Sequence, residues 1–241
     1  MTDDTYRWAV SVAALLLGMV AGSFLSTLAL RWPAGRGIAR GRSACDGCGA
    51  TIPAWRLVPL ASYALQRGRC AACGGAIDPR HPAMEALCAA IGFVALWLRP
   101  DAVGVAGALF GWGLAVLALL DRDHFWLPDR LTLPLGLIGL AIGPAALPDR
   151  IIGALAGYAA LASIAFVYRR ARGRVGLGQG DAKLVGAIGA WLGWRALPFV
   201  VLGACAIGIV WAIAARKGAL DRLPLGTLLA VAAWGGWIAL I

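Results

Sequence analysis

The sequence predicts an all-α protein: a polytopic membrane bundle of about eight spanning helices with one small, zinc-stapled loop domain on the cytoplasmic side. Two observations predict this class. Of the 241 residues, 61% are apolar and only 14% are charged, and the apolar residues stand in long blocks. Lys and Arg are concentrated in every second gap between those blocks. Blocks that approach the ~20 residues needed to cross hydrocarbon as a helix are typical of polytopic membrane proteins.

Eight apolar blocks account for the predicted spans. They cover residues 8–30, 82–98, 102–120, 131–147, 151–168, 182–194, 196–215 and 223–241. The first block is expected to remain as a span, because Asp3 and Asp4 precede it in place of a basic leader and basic residues follow it. The sixth block is short, but without it the basic residues between 216 and 222 would lie on the wrong side of the membrane.

The placement of the basic residues predicts the topology. The net charge is +10, and most of the 22 Lys and Arg residues lie in or at the edge of the gaps after the first, third, fifth and seventh blocks. The exceptions are Arg7, Arg99, Arg150 and Arg195. The positive-inside rule puts these four gaps in the cytoplasm and both termini outside. Topology alone therefore accounts for the charge, and no nucleic-acid partner is expected.

The polar segment 31–80 is too short to bury a substantial core unaided. It contains two Cys-x-x-Cys knuckles, Cys45 with Cys48 and Cys70 with Cys73, each followed by glycine. Two such knuckles fit a tetrahedral four-thiolate zinc site, and the glycines permit the left-handed backbone that follows each turn. Two disulfides or redox-active thiols are the alternative, which a reducing cytoplasm disfavours. We therefore expect a structural Zn²⁺ ion.

Two acids stand at the ends of apolar blocks. Asp121 directly follows the third block, and Asp181 begins the sixth. One helical hairpin separates them, so both return to the same membrane face. Two carboxylates at similar depth can form an acid/base dyad in which one activates water and the other protonates the substrate, because neighbouring carboxylates cannot both ionise cheaply.

The helix ends predict opposite electrostatic settings for these acids. Asp121 is expected at the C-terminal end of a helix, where the helix dipole disfavours an anion, and Asp181 at an N-terminal end, where the dipole favours one. We expect the shared proton mainly on Asp121. The alternative for Asp181 is a plain N-cap. Gly178 and Gly180 before it would leave room for an extended substrate backbone.

These stretches together resemble the type IV prepilin peptidases, also called leader peptidase/N-methyltransferases, which are polytopic aspartic proteases of the GxGD type. The resemblance is carried by Gly22-Ser23-Phe24-Leu25, Arg31-Trp32-Pro33, the cysteine knuckles with residues 77–85 after them, residues 121–129 with Leu131-Thr132-Leu133-Pro134, and residues 178–184. It implies that Asp121 and Asp181 are the catalytic pair. It also implies a Zn²⁺ ion held by Cys45, Cys48, Cys70 and Cys73.

The resemblance further implies an enzyme of the bacterial inner membrane, whose active site and zinc loop face the cytoplasm. Its substrates would be pilin or pseudopilin precursors with a short basic leader before an apolar helix. We expect three parts: a first span at 1–30, the zinc loop domain at 31–80 and the peptidase domain at 81–241. Lys183 and the basic cluster at 169–174 would repel a basic leader, so Asp123 and Asp129 are expected to attract it.

A second activity is implied, methylation of the new N-terminal amine from S-adenosylmethionine. Here the sequence departs from the family pattern. Ser26 stands where relatives commonly have Asn, and no acid occurs between Pro33 and Cys45. Cleavage is therefore better supported than methylation.

Two other functions remain open at this point. A proton-coupled transporter would use Asp121 and Asp181 as coupling carboxylates, but it predicts acids near the bilayer midplane and repeated halves, neither of which the sequence displays. A scaffold of a pilus or secretion assembly would use the zinc loop alone. The scaffold leaves the paired acids without a purpose.

Overall fold

The computed structural model of the chain describes residues 3–37, 42–173, 176–216 and 222–241. Within these ranges the chain is helical, and its only β-type pairings are two isolated bridges. The all-α class is confirmed. Three basic residues of the charge pattern, Arg40, Arg174 and Lys217, lie outside the described residues.

The chain forms two compact units, Met1–Pro100 and Asp101–Ile241. The first unit pairs helix α1 (Asp3–Arg31) with helix α3 (Arg80–Leu98). Gly18 and Gly22 of α1 lie directly against the backbone of α3, at Cys88 and Met84. Small residues let two membrane helices approach this closely, because side chains would otherwise hold their backbones apart.

The segment between α1 and α3 has little regular structure. It contains a 3₁₀ turn at Ala54–Arg56 and the short helix α2 (Ala61–Leu65). Each cysteine knuckle is closed by an isolated bridge, Ala44 to Thr51 and Arg69 to Ala76. The glycines after the knuckles, Gly49 and Gly74, have φ of +73° and +72°. The left-handed turns predicted from the sequence are confirmed.

The second unit contains six helices in the described residues. They are α4 (Ala102–His124), α5 (Asp129–Ile142), α6 (Leu147–Arg172), α7 (Gln179–Leu192), α8 (Leu197–Ala214) and α9 (Leu225–Leu240). Helix α7 is the core of this unit, with every residue from Leu184 to Leu192 buried. A helix that is apolar on all sides is expected to be surrounded by other helices. Trp191 of α7 donates from Nε1 to the Leu135 carbonyl of α5 at 2.8 Å.

Among the described residues, five helices are long and apolar enough to cross a membrane, namely α1, α3, α4, α6 and α8. Helices α5 and α7 have 14 residues each and α9 has 16. Each predicted block is a helix, but the number of spans, eight, stays a prediction. So does the functional division at residues 30 and 80, since packing groups α1, the loop and α3 together.

Candidate active site

Asp121 lies in the last turns of α4 and is only 4% exposed. The helix ends just beyond it, where Phe125 adopts a left-handed backbone with φ of 50° and donates its N–H to the Asp121 carbonyl at 2.8 Å. A carboxylate this deeply buried requires hydrogen-bond donors, because desolvation of an unpaired charge is costly. The structure supplies them from a helix that is remote in sequence.

The donors to Asp121 come from the N-terminus of α9. The backbone N–H of Thr227 donates to Asp121 Oδ2 at 2.8 Å. The Thr227 hydroxyl lies 2.9 Å from the Ala118 carbonyl and 3.3 Å from the same Oδ2. The first N–H groups of a helix have no partner within the helix, so α9 offers Asp121 a ready anion-binding end.

This arrangement corrects the predicted electrostatic setting of Asp121. The sequence predicts that this acid lies at the C-terminal end of a helix, which the structure confirms. It also predicts that the dipole of that helix disfavours the anion. The start of α9 offsets that field, so the two acids do not stand in opposite settings. Gly226 and Thr227 were missed as site residues. The signal was the sequence Pro224-Leu225-Gly226-Thr227 at the start of the last apolar block, a typical helix beginning.

Asp181 lies at the third position of α7 and not at its N-cap, which is Gly178. Its Oδ2 accepts the backbone N–H of Gly178 at 3.1 Å. The side chain thus reaches back over the first turn, as the acidic member of a capping box does. The capping function expected from the sequence is present, one turn later than a plain N-cap would have it.

Leu127 lies between the helix starts that stand next to Asp121 and Asp181. The charge of Asp121 acts electrostatically on Asp181. A methyl group added at Gly180 would lie 2.8 Å from Leu127 Cβ, and one added at Gly226 would lie 2.9 Å from Leu127 Cδ1. Leu127 therefore packs against the N-termini of both α7 and α9. Carboxylates that interact electrostatically at such a junction are suited to share one proton.

Gly178 and Gly180 have neighbours that bear on their predicted role. The space beside Gly180 is occupied by Leu127, and a methyl group at Gly178 would lie 3.1 Å from Asp181 Oδ2. Close helix packing is thus one reason for glycine at position 180. Room for a substrate backbone at these glycines stays a prediction.

Asp129 and Asp123, predicted to attract a basic leader, already have basic neighbours. Lys183 Nζ lies 2.7 Å from both oxygens of Asp129, joining the start of α5 to the second turn of α7. Arg122 Nε lies 3.5 Å from Asp123 Oδ1. The Asp129 side chain is nevertheless 52% exposed. Lys183, expected to repel the leader, is therefore the present partner of one of the acids expected to attract it.

The four knuckle cysteines form a cluster that could hold a metal ion. All are free thiols, and their Sγ atoms lie within 4.8 Å of one another. A tetrahedral Zn²⁺ ion with Zn–S bonds of ~2.3 Å holds its sulfurs about 3.8 Å apart, so only small side-chain movements are required. Backbone N–H groups of Cys73 and Ala72 lower the pKa of Cys70 to about 6. Despite a backbone hydrogen bond from Ala50, the pKa of Cys48 is raised to about 11 by the neighbouring Cys73 and Cys45 thiols.

Ser26 and Glu85 connect α1, α3 and the loop within the first unit. Ser26, fully buried, lies with its Oγ 2.9 Å from His81 Nδ1. Glu85 accepts the backbone N–H of Leu60 at 2.7 Å. Leu60 has φ of 58°, a strained value for a residue with a side chain, and Glu85 holds it there. Glu85 thus anchors the loop, beyond the helix-dipole compensation that its position near the start of α3 suggests.

Comparison with known proteins covers most of the chain. Residues 16–99 match the family described as Bacterial Peptidase A24 N-terminal domain, and residues 108–213 match the Type IV leader peptidase family. A prepilin leader peptidase/N-methyltransferase of Aeromonas salmonicida is 40% identical, over 83% of this chain and 71% of its own length. Proteins of the same name from Stutzerimonas stutzeri and Pseudomonas aeruginosa are 33% and 34% identical, over 95% of this chain and 90% and 89% of theirs. No solved structure matches the chain.

Proposed function

The chain belongs to the type IV leader peptidase family, and we propose on that premise that it is a membrane aspartic endopeptidase with Asp121 and Asp181 as its catalytic acids. It removes the short basic leader from type IV pilin or pseudopilin precursors at the cytoplasmic face of a bacterial inner membrane. The observation that supports the proposal is that the end of α4, with Asp121, and the first turn of α7, with Asp181, meet at Leu127 and the start of α9. Neither a transporter nor a scaffold requires that meeting.

The dyad performs hydrolysis by exchanging one proton. The ionised carboxylate takes a proton from water, whose oxygen attacks the scissile carbonyl carbon, while the protonated partner donates to the carbonyl oxygen. The tetrahedral intermediate then breaks its C–N bond as the leaving nitrogen takes up a proton. The bonds from Thr227 and Gly178 both go to Oδ2 atoms, so Oδ1 of each acid is the oxygen we assign to water and substrate.

Purified protein in detergent, incubated with a precursor pilin, tests the proposal directly. We expect a product whose N-terminus begins just after the leader, identified by sequencing or mass spectrometry. The resemblance implies a leader that ends in glycine, so the same precursor with a larger residue at that position serves as a substrate control and should resist cleavage. Intact precursor after prolonged incubation with folded protein would contradict the proposal and leave the scaffold and transporter functions open.

We propose that Cys45, Cys48, Cys70 and Cys73 hold a structural Zn²⁺ ion. Four thiolates leave no open coordination position, so the ion would cross-link the two knuckles and activate no water. The loop between α1 and α3 has few regular elements of its own, and a cross-link supplies the stability that a small core cannot.

N-methylation of the new terminus is proposed as a second step, with S-adenosylmethionine as a sulfonium methyl donor. The support is the double name of the relatives, and the Ser26 departure makes this the weaker half. We expect mass spectrometry to find the cleaved product one methyl group heavier when the donor is added. The Aeromonas salmonicida protein run in parallel is the control. An unmethylated product in that comparison would limit this chain to cleavage.

We propose that Asp129 exchanges Lys183 for a basic residue of the leader when substrate binds. An exposed ion pair is worth only about 0–1 kcal/mol, so a second cation can displace Lys183 at little cost. We expect Asp129→Asn to raise KM roughly 5-fold for a basic leader, the equivalent of about 1 kcal/mol. A precursor whose leader carries Gln in place of its basic residues should be unaffected.

Lys183→Gln is the matched variant for this prediction, because it removes the competing cation and keeps the acid. Its KM for the basic leader should be unchanged or lower. An equal fall of kcat for basic and neutral leaders in Asp129→Asn would instead assign the pair to holding α5 and α7 together. Asp123→Asn, measured with the same two leaders, determines whether that acid contributes.

A further inference from the structure

Gly226 lies where an added side chain would crowd Asp121. A methyl group added at Gly226 would lie 3.0 Å from both Cγ and Oδ2 of Asp121, in addition to its approach to Leu127. Distances this short are not tolerated without movement, since carbon atoms in contact prefer about 3.5–4.0 Å. The φ of Gly226 is not in the left-handed region, so backbone conformation does not require glycine here.

The close approach brings the start of α9 within hydrogen-bond distance of the acid. Gly226 is the second residue of α9 and Thr227 the third, so both N–H groups belong to the unpaired first turn. The Thr227 N–H reaches Asp121 Oδ2 at 2.8 Å. A side chain at Gly226 would displace either the helix start or the carboxylate, and each movement lengthens this bond.

We propose that Gly226 is a positioning residue for cleavage: its lack of a side chain lets α9 begin against Asp121 and hold that carboxylate toward Asp181. The inference rests on the proposed catalytic role of Asp121. Gly226 itself touches no substrate and exchanges no proton. Its effect is exerted through the direction of the Asp121 side chain, because catalytic groups displaced by ~1 Å can lose about 100-fold in rate.

The second unit offers a matched control in the same helix. Gly235 of α9 has open space around it among the described residues, with nothing within 4 Å of an added methyl group. Gly→Ala in a helix ordinarily stabilises it, by about 0.5–1 kcal/mol. Gly226→Ala and Gly235→Ala add the same methyl group to the same helix and differ in what that group meets; the propensity gain applies in full to the interior position 235 and is smaller in the first turn.

The experiment measures kcat, KM and thermal midpoint for both variants in detergent with a precursor pilin. We expect Gly235→Ala to stay within about 2-fold of the unmodified protein in kcat, and Gly226→Ala to lose roughly 10- to 100-fold in kcat with KM nearly unchanged. The pH–rate profile of Gly226→Ala should also change shape, whereas partial unfolding would lower the rate equally at every pH. A kcat for Gly226→Ala within 2-fold of the Gly235→Ala control overturns the proposal.

A second variant separates the Asp121 contact from the Leu127 contact. Leu127→Ala removes the Cδ1 atom that Gly226→Ala would meet but leaves Asp121 in place. In the double variant Gly226→Ala/Leu127→Ala, we expect the loss in thermal midpoint to be smaller than the sum of the losses in the two single variants. The loss in kcat should remain that of Gly226→Ala. Recovery of both the thermal midpoint and kcat would assign Gly226 to packing alone and overturn the inference. Failure of both Gly226→Ala and the double variant to fold would do the same. Cleavage by Asp121→Asn at an undiminished rate would instead contradict the proposed catalytic function on which this inference rests.

Discussion

Replacing Asp121 or Asp181 by asparagine is expected to reduce kcat for precursor cleavage by about 10²–10⁴-fold, the range typical of a lost acid/base group. Asparagine keeps the shape of the side chain and an oxygen that accepts the N–H groups of Thr227 or Gly178. The loss would therefore reflect proton transfer and not folding. Single-turnover cleavage assays, with the thermal midpoint as a check on folding, give the measurement.

The double variant Asp121→Asn/Asp181→Asn should be no slower than the slower single variant, because the two acids act as one unit and their losses are not additive. Asp149→Asn is the matched control. Asp149 Oδ1 accepts a hydrogen bond from Trp194 Nε1 at 2.9 Å, near the C-terminal end of α7. This variant should cleave at a rate close to that of the unmodified protein. Substantial cleavage by either single Asn variant would exclude that acid from the reaction.

Replacing Cys48 by serine is expected to abolish binding of the proposed zinc ion and unfold the loop between α1 and α3. Structural zinc contributes about 10–16 kcal/mol to folding in small zinc-finger peptides, far more than a loop without a large core can replace. Elemental analysis of the purified protein should find one zinc ion per chain before the change and almost none after it. Limited proteolysis should show new cleavage sites confined to the loop.

Cys205→Ser is the control for this prediction, because Cys205 is a free thiol in α8, away from the four-cysteine cluster in sequence. Its zinc content and proteolysis pattern should match those of the unmodified protein. Chelation at high concentration should reproduce the Cys48→Ser pattern, and restored zinc should reverse it. Full zinc content in Cys48→Ser would show that the ion is held elsewhere.

The features that sequence alone predicts are those that depend on neighbours along the chain. Each apolar block is a helix in the structure, because length and composition are sufficient for backbone hydrogen bonding in an apolar setting. The cysteine knuckles take their predicted left-handed glycines, Gly49 and Gly74, because a four-residue turn is a local event. The family, too, was evident from short motifs, and the comparisons confirm it.

Partners that come from remote helices could not be predicted in this way. The donor to Asp121 is Thr227, and the partner of Asp129 is Lys183, separated by 106 and 54 positions respectively. Asp181 was assigned correctly to the start of a helix, but its meeting with Asp121 depends on how α4, α7 and α9 pack. Helices that are apolar on every side carry no periodic stripe to indicate which neighbour they face.

Sequence by itself therefore determines that this chain is a helical membrane protein of the leader peptidase family. It also places two acids at helix ends and four cysteines in two Cys-x-x-Cys knuckles. Tertiary structure decides what surrounds them. The start of α9 meets Asp121 because Gly226 has no side chain, and Leu127 packs where α7 and α9 begin. The physical reason is range: helix formation and tight turns are settled by adjacent residues, whereas the environment of a buried carboxylate is settled by helices that only packing brings together.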